Sequence, residues 1–437
     1  MKTDRSQYLN ENSHRVVLNV NDLLIGFFEY CWAILVVLNG NSVYHASAVR
    51  NYQLLLLCVV MTAVLLIVNI LLGRIRIKKR NLIVAVALCL YAWVYFVVRR
   101  DQMSAMNFLY LFVIGLPCLF LLFAELHRKD RLLNLIFRLS NVVCIFAVMS
   151  LFFWVFGVVL DMIQPNMTTR INWGNFDIIQ GYWGLHFEIQ RETTFGTLMY
   201  RNSGIFTEAP MLNLWANIAL AVELFLRNKP SKVKIGILVA TVITTMSTTG
   251  FIFIALCVLL KYFDRIKKTS KLMNLLLLLI GLLAVPFVAY AVYLLLLEKS
   301  DTVSFAMRMS DYTGGVKLWL KYPLWGSGYA NLQSLLPYIY SPNGVLGFSN
   351  SVTAVLATGG LWMALPFYIA HIGSMFPRLV QSKGIAHFSS CLFFLFCTTA
   401  FFGRYIAVLM IAFGLAVLME TQNRQVIADE LVEICYE

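Results

Sequence analysis

Charge is what this sequence has least of. Only 13% of its 437 residues are Asp, Glu, Lys or Arg, against 60% hydrophobic residues and a mean hydropathy of +0.74. Soluble domains carry roughly a quarter charged residues, so a water-soluble globular enzyme is excluded. Cysteine is scarce wherever it could do chemistry. Of nine, eight (Cys31, Cys58, Cys89, Cys118, Cys144, Cys257, Cys391, Cys397) lie in apolar runs and Cys435 lies in the C-terminal tail, which leaves the loops without a disulfide or a thiolate metal site. His, Asp and Glu nowhere fall at ligand spacing, so neither a metal nor another cofactor is expected. No repeat, low-complexity stretch or separate soluble domain is visible. A removable signal is lacking too: the first 22 residues are polar, and the apolar run behind them has no small-residue cleavage site, which predicts a retained anchor.

What is there instead is apolar length. Runs of about 16 to 25 residues recur along the chain, each near the ~20 residues that cross a ~30 Å hydrocarbon core as a helix. About twelve are legible, near residues 23–38, 53–73, 82–98, 107–124, 135–160, 210–226, 235–247, 250–263, 273–296, 351–372, 386–402 and 405–420. The expected fold class is all-α, a polytopic integral membrane protein forming one membrane domain over residues 1–437. Lys and Arg gather in "RIRIKKR" (Arg74–Arg80), "HRKDR" (His127–Arg131), "RNKPSKVK" (Arg227–Lys234) and "KYFDRIKKTSK" (Lys261–Lys271). The positive-inside rule puts these loops and both termini in the cytoplasm. The net charge of +13 therefore speaks of topology and lipid headgroups, not of nucleic acid.

Residues 235–263 pose a length problem. As one helix they would rise ~43 Å and set two strongly basic loops on opposite faces. A hairpin broken at "STTG", Ser247–Gly250, keeps both inside. Its arms would rise only ~20 Å, so the tip stops below the outer surface, at the floor of a cavity. Irregular backbone is tolerated there only against protein or water. The same arithmetic sets Arg404, in "FFGRYIAV", at the outer rim.

Two outward stretches are long, residues 161–209 and 297–350, and long loops in compact proteins are usually functional. The first is aromatic and acidic and closes with "RNSGIFTEAP" before a span. In the second, Tyr312, Val316, Trp319, Leu320 and Pro323 fall at helical spacing opposite Lys317 and Lys321, which predicts an amphipathic helix at the membrane interface. "RNSGIFTEAP", "TTMSTTG" and "RMSDYTGGVKLWLKYPLWGSGY", with about twelve spans and two large outer loops, resemble the O-antigen polymerase and O-antigen ligase superfamily. The resemblance implies a GT-C-like membrane glycosyltransferase at the outer side of a bacterial inner membrane. Its substrate would be an oligosaccharide on a polyprenyl diphosphate. The product would be a surface polysaccharide, whether O-antigen of lipopolysaccharide, capsule or exopolysaccharide, with a chain-length regulator and a flippase as partners. Ligases typically carry a histidine before an asparagine ahead of the next span. Here "GFSNSVTAVL" has Ser349 in the histidine's place and keeps Asn350, which favours the polymerase branch.

A diphosphate leaving group needs positive charge, and the acceptor hydroxyl needs a group that orients or deprotonates it. Arginine binds phosphate oxygens bidentately and stays charged. Arg201 and Arg308, one from each long loop, are the first candidates for that task, with Arg191 and Arg404 behind them. Glu208 is the candidate base, or the group that fixes Arg201; it could also simply cap the helix that Pro210 begins. Arg308 has an alternative partner in Asp311. Ser247, Thr248, Thr249, Tyr329, Ser349 and Asn350 complete the substrate-binding candidates, although Ser and Thr also satisfy broken membrane helices. Glu29, inside the first span, calls for a buried partner. His186 could be a base or an ordinary loop histidine, and Trp173, Tyr182 and Trp183 could stack on sugars or sit in an interfacial aromatic belt. A transporter or flippase for the same lipids is the alternative of another class. Transporters place charge near the midplane and show related halves; here charge gathers in the outer loops.

Overall fold

The computed structural model describes residues 20–46, 48–173, 176–194, 197–266, 303–339, 347–380 and 382–436. Among them, seven helices are long and apolar enough to cross a membrane. These are α1 (Val20–Asn39), α2 (Ala48–Leu71), α3 (Lys79–Arg99), α4 (Ala105–Arg128), α5 (Leu132–Val159), α6 (Ala209–Leu226) and α10 (Ser351–Ser374). Between the last two lie α7 (Lys232–Thr244), α8 (Thr248–Ile266) and α9 (Val303–Lys321). Two further apolar helices follow, α11 (Lys383–Thr398) and α12 (Tyr405–Tyr436). The span expected near 273–296 lies outside the described residues. Side chains capable of capping stand where helices begin: Ser231 accepts from Lys234 N–H and Ser382 from Ile385 N–H. Helix α6 is the axis of the bundle. Its residues from Met211 to Ala221 are all buried, against α5, α7, α8 and α11. Glu29 finds the partner its depth demands in Arg138 of α5.

The chain does reverse between α7 and α8. At one end of the pair, Lys234 Nζ lies 3.8 Å from Glu223 Oε1, and Lys261 Nζ lies 5.0 Å from the Phe225 ring centre. Both free ends of the hairpin therefore stand beside the last turn of α6, while its tip reaches the residues that precede α6. The break falls at Thr245–Ser247, not at Ser247–Gly250, with Met246 in the left-handed region at φ +52°. Gly250 is needed inside α8, because a Cβ there would lie 2.3 Å from Asn213 Oδ1 and 2.6 Å from Val242 Cγ1. Thr248 and Thr249 form the first turn of α8. The hydroxyls that satisfy the break belong to Thr244 and Thr245, donating to the carbonyls of Thr241 (2.9 Å) and Val242 (2.6 Å).

The first long loop is not all irregular. It holds an antiparallel sheet of β1 (Met167–Trp173), β2 (Phe176–Tyr182) and β3 (His186–Glu188), then a hairpin of β4 (Arg191–Thr194) and β5 (Thr197–Tyr200). Alternation explains the first sheet: Ile171, Ile179 and Phe187 turn inward with Ile189 against Val43 of the α1–α2 turn, while Ile178 faces out. Helical expectations hid this because the apolar residues of the segment are too few and too scattered to register as strands.

Helix α9 buries Asp311, Gly314, Gly315 and Leu318, one helical face, and exposes Val316 and Leu320. Helix α10 is discontinuous at Gly360 (φ +63°). Into this break runs the "PLWGSG" turn: Leu361 N–H donates to Pro323 O, Trp362 N–H to Leu324 O, Ser327 N–H to Ala357 O and Gly328 N–H to Thr358 O, all at 2.9–3.0 Å. A Cβ on Gly326 would lie 2.4 Å from the Thr358 carbonyl, so this motif is a backbone wedge that only glycine permits.

Candidate functional site

The stretch "RNSGIFTEAP" is an extended strap pinned from three sides. Arg201 N–H donates to Gln190 O (2.8 Å) and Asn202 N–H to Thr244 O at the hairpin tip (3.2 Å). Ser203 Oγ donates to Phe187 O of β3 (2.7 Å). Val43 N–H of the α1–α2 turn donates to Ile205 O (2.9 Å), and Thr207 N–H to Asn41 O (3.0 Å). The strap then enters α6, where Pro210 in the first turn forfeits no hydrogen bond.

Glu208 stands at the N-cap of α6 in extended conformation, yet its carboxylate makes no capping bond. The first helical donor, Ala209 N–H, goes to Gln190 Oε1 at 3.1 Å instead. Half-buried and free of that duty, Glu208 lies within the electrostatic reach of three guanidiniums. Burial raises its carboxyl above the usual range, and Arg308, Arg201 and Arg404 oppose the rise. The three come from the strap, from α9 and from the turn before α12.

Two of the arginines are held by contacts from other elements. Arg201 donates Nε–H to Thr245 O at the hairpin tip (2.8 Å). Arg404 meets Nε2 of His45, and burial lowers its guanidinium to about 10, with Tyr329 and Glu208 acting in the opposite sense. Arg308 is not committed to Asp311, whose Oδ2 accepts from Ser349 N–H at 3.0 Å. Burial raises the Asp311 carboxyl to about 6, against the bond from Ser349 and the charge of Arg308.

The other candidates separate. Tyr329 is buried among Phe108, Phe112 and Phe402, and its backbone carbonyl accepts from Ser104 N–H. Asn350 caps α10, its Oδ1 accepting from Thr353 N–H and Oγ1 at 2.9 Å each. Ser247 and Thr249 are buried and Thr248 half-buried beside the tip, where Thr244 and Thr245 make the contacts to the strap. Arg191 is exposed and stacks 4.3 Å from the centre of Tyr200, its cross-strand neighbour; its charge is not among those acting on Glu208. His186 is buried with neither ring nitrogen hydrogen-bonded among the described residues, and burial lowers it to about 3. Tyr182 is buried with its hydroxyl on Glu188, and Trp183 is exposed. The Trp173 side chain lies outside the described residues.

Two participants carried no signal in the sequence, and a third only part of one. Gln190 and His45 belong to no motif, and their roles come from contacts 19 and 359 residues away along the chain. Asp311 was visible only as a partner for Arg308. The assembled site is one carboxylate among three arginines at the long-loop end of the bundle, a charge set suited to a dianion such as a diphosphate.

A family model described as O-antigen ligase matches residues 235–368, from the first turn of α7 into α10, and thus takes in Arg308, Tyr329, Ser349 and Asn350. Over that segment the chain is similar to the O-antigen ligase and polymerase superfamily. The similarity, with the apolar helices, supports a multi-pass membrane protein of a glycan-transferring family that takes lipid-linked oligosaccharides. The match is common to both branches of the superfamily. No curated protein and no solved structure matches the chain.

Proposed function

We propose that the protein is a polymerase, joining polyprenyl-diphosphate-linked oligosaccharide repeats into a surface polysaccharide at the outer side of a bacterial inner membrane. The observation that carries this reading is the carboxylate of Glu208 within the electrostatic reach of Arg201, Arg308 and Arg404. In this scheme the sugar C–O bond to the diphosphate breaks, the acceptor hydroxyl oxygen bonds to that carbon, and the hydroxyl proton passes to Glu208. The lipid diphosphate leaves with its electron pair against the arginines. The tail stays in lipid while the diphosphate stays at headgroup height. No nucleotide or covalent enzyme intermediate is required, since the leaving group is already attached. The long loops, the charge cluster and the basic loops at the other end favour outward-facing chemistry with both termini cytoplasmic. Arg191 on its exposed strand is proposed as an outer contact for the glycan, and a chain-length regulator and a flippase are the partners the reaction calls for.

Ser349, a residue that does not titrate where ligases carry histidine, supports the polymerase branch. The description of the matching family model supports a second reading, transfer of a finished glycan onto a lipid A core. Purified protein given lipid-linked repeats, with and without core acceptor, separates them. A product ladder from repeats alone is expected of a polymerase, transfer only onto core of a ligase, and neither product overturns both.

A further inference from the structure

His45 lies in the α1–α2 turn, far in sequence from every motif, and is 3% exposed. Its Nε2 meets Nη1 of Arg404. An arginine can only donate, so Nε2 accepts, the ring is neutral and its proton sits on Nδ1. Burial first, and then the charge of Arg404, lower the imidazole to about 2, in keeping with that form. Nδ1 is buried with no hydrogen-bond partner among the described residues. The turn that carries His45 is not free to drift: Val43 and Asn41 are bonded to the strap that ends at Glu208, and a Cβ on Gly40 would lie 2.4 Å from the Trp215 ring of α6. His45 and Glu208 are thus carried by one hydrogen-bonded unit, and Arg404, from the opposite end of the chain, touches His45 and acts on the Glu208 charge.

We infer that His45 is a positioning residue for the diphosphate site, a neutral imidazole that accepts one N–H of Arg404 and fixes the plane of that guanidinium toward Glu208. This rests on the proposed transfer chemistry for its consequence, not for the contact itself. A guanidinium has five donors in a rigid fork, and pinning one edge determines where the other edge points. Without His45, Arg404 keeps its charge and loses its orientation, and the leaving diphosphate is stabilised less well as charge develops on it.

The test uses full-length protein in detergent with lipid-linked repeats. His45→Phe, which fills the space without an acceptor, is expected to lower kcat about ten- to hundredfold, the range for a lost charge-assisted contact. His45→Gln, whose amide oxygen can accept the same N–H, is expected to recover about tenfold of that loss. In an Arg404→Lys background His45→Phe should cost little more, because it acts through Arg404. Full activity of His45→Phe, no rescue by Gln, or an undiminished loss in the Arg404→Lys background overturns the assignment. The contact is also read without turnover, by nitrogen-15 NMR of labelled imidazoles assigned with His45→Gln. A neutral ring protonated on Nδ1 is expected at pH 5, where an ordinary histidine is charged; a charged His45 there overturns the pairing. An inactive wild type with the neutral Nδ1–H ring sinks the transfer reaction and leaves the pairing standing.

Discussion

Arg201 donates its Nε–H to the carbonyl oxygen of Thr245 across 2.8 Å, which fastens the strap before α6 to the tip of the α7–α8 hairpin. A residue whose charge acts on Glu208 is thus aimed by a break in a membrane helix, where a backbone carbonyl without its helical partner is available to accept.

If the arginines clamp a diphosphate through paired hydrogen bonds, lysine keeps the charge and loses the fork. Arg201→Lys and Arg308→Lys should each slow repeat joining about ten- to hundredfold, for a contact worth about 1.5–3 kcal/mol in the transition state. Product sizing on gels with folded variants checks this; near-normal polymer from both would sink the clamp.

Glu208→Gln keeps size and hydrogen bonding and removes the charge. Because Gln190 already caps α6, the substitution should leave the melting temperature within a few degrees while transfer falls at least about tenfold. Burial raises the Glu208 carboxyl, and a base must be ionised to act. The acid limb of the wild-type rate profile should therefore lie above the ordinary carboxyl value, and normal activity in the Gln variant would demote Glu208 to a structural residue.

Burial pushes the Asp311 carboxyl up from 3.8 to about 6 in the folded protein. The fold favours its protonated form, so its contribution to stability is complete below pH ~4 and is lost as pH rises through about 6. With ~1.4 kcal/mol per unit, the loss is up to about 3 kcal/mol. Melting curves of wild type and Asp311→Asn between pH 4 and 7 should show the variant gaining on wild type as pH rises. The reverse trend would mean that Arg308 and Ser349 outweigh burial.

Gly360 sits at φ +63°, and a Cβ there would lie 2.4 Å from the Leu324 carbonyl oxygen. Neither backbone can yield without undoing the wedge. Gly360→Ala should cost at least about 2 kcal/mol, from strain and overpacking together, read as a lower melting temperature in detergent. An unchanged melting temperature would show that the wedge tolerates displacement.

Membrane class, most of the described helices and the short arms of the α7–α8 hairpin were legible in the amino-acid sequence, because apolar length and the placement of Lys and Arg are local quantities that bilayer thickness and the positive-inside rule convert into geometry. Arg201, Glu208, Arg308 and Arg404 were legible as candidates for another reason: a departing diphosphate calls for guanidiniums and a carboxylate, and these charges lie in or beside the outward segments. Tertiary structure alone decided which loops converge. It set Gln190 at the cap that was one of the alternatives for Glu208, turned Asn350 into a helix cap, moved the hairpin break to Met246, sent Arg191 to an exposed strand, and brought His45 to Arg404. These outcomes hang on backbone hydrogen bonds and close approaches between segments up to 359 residues apart, and hydrophobic periodicity carries no term for them.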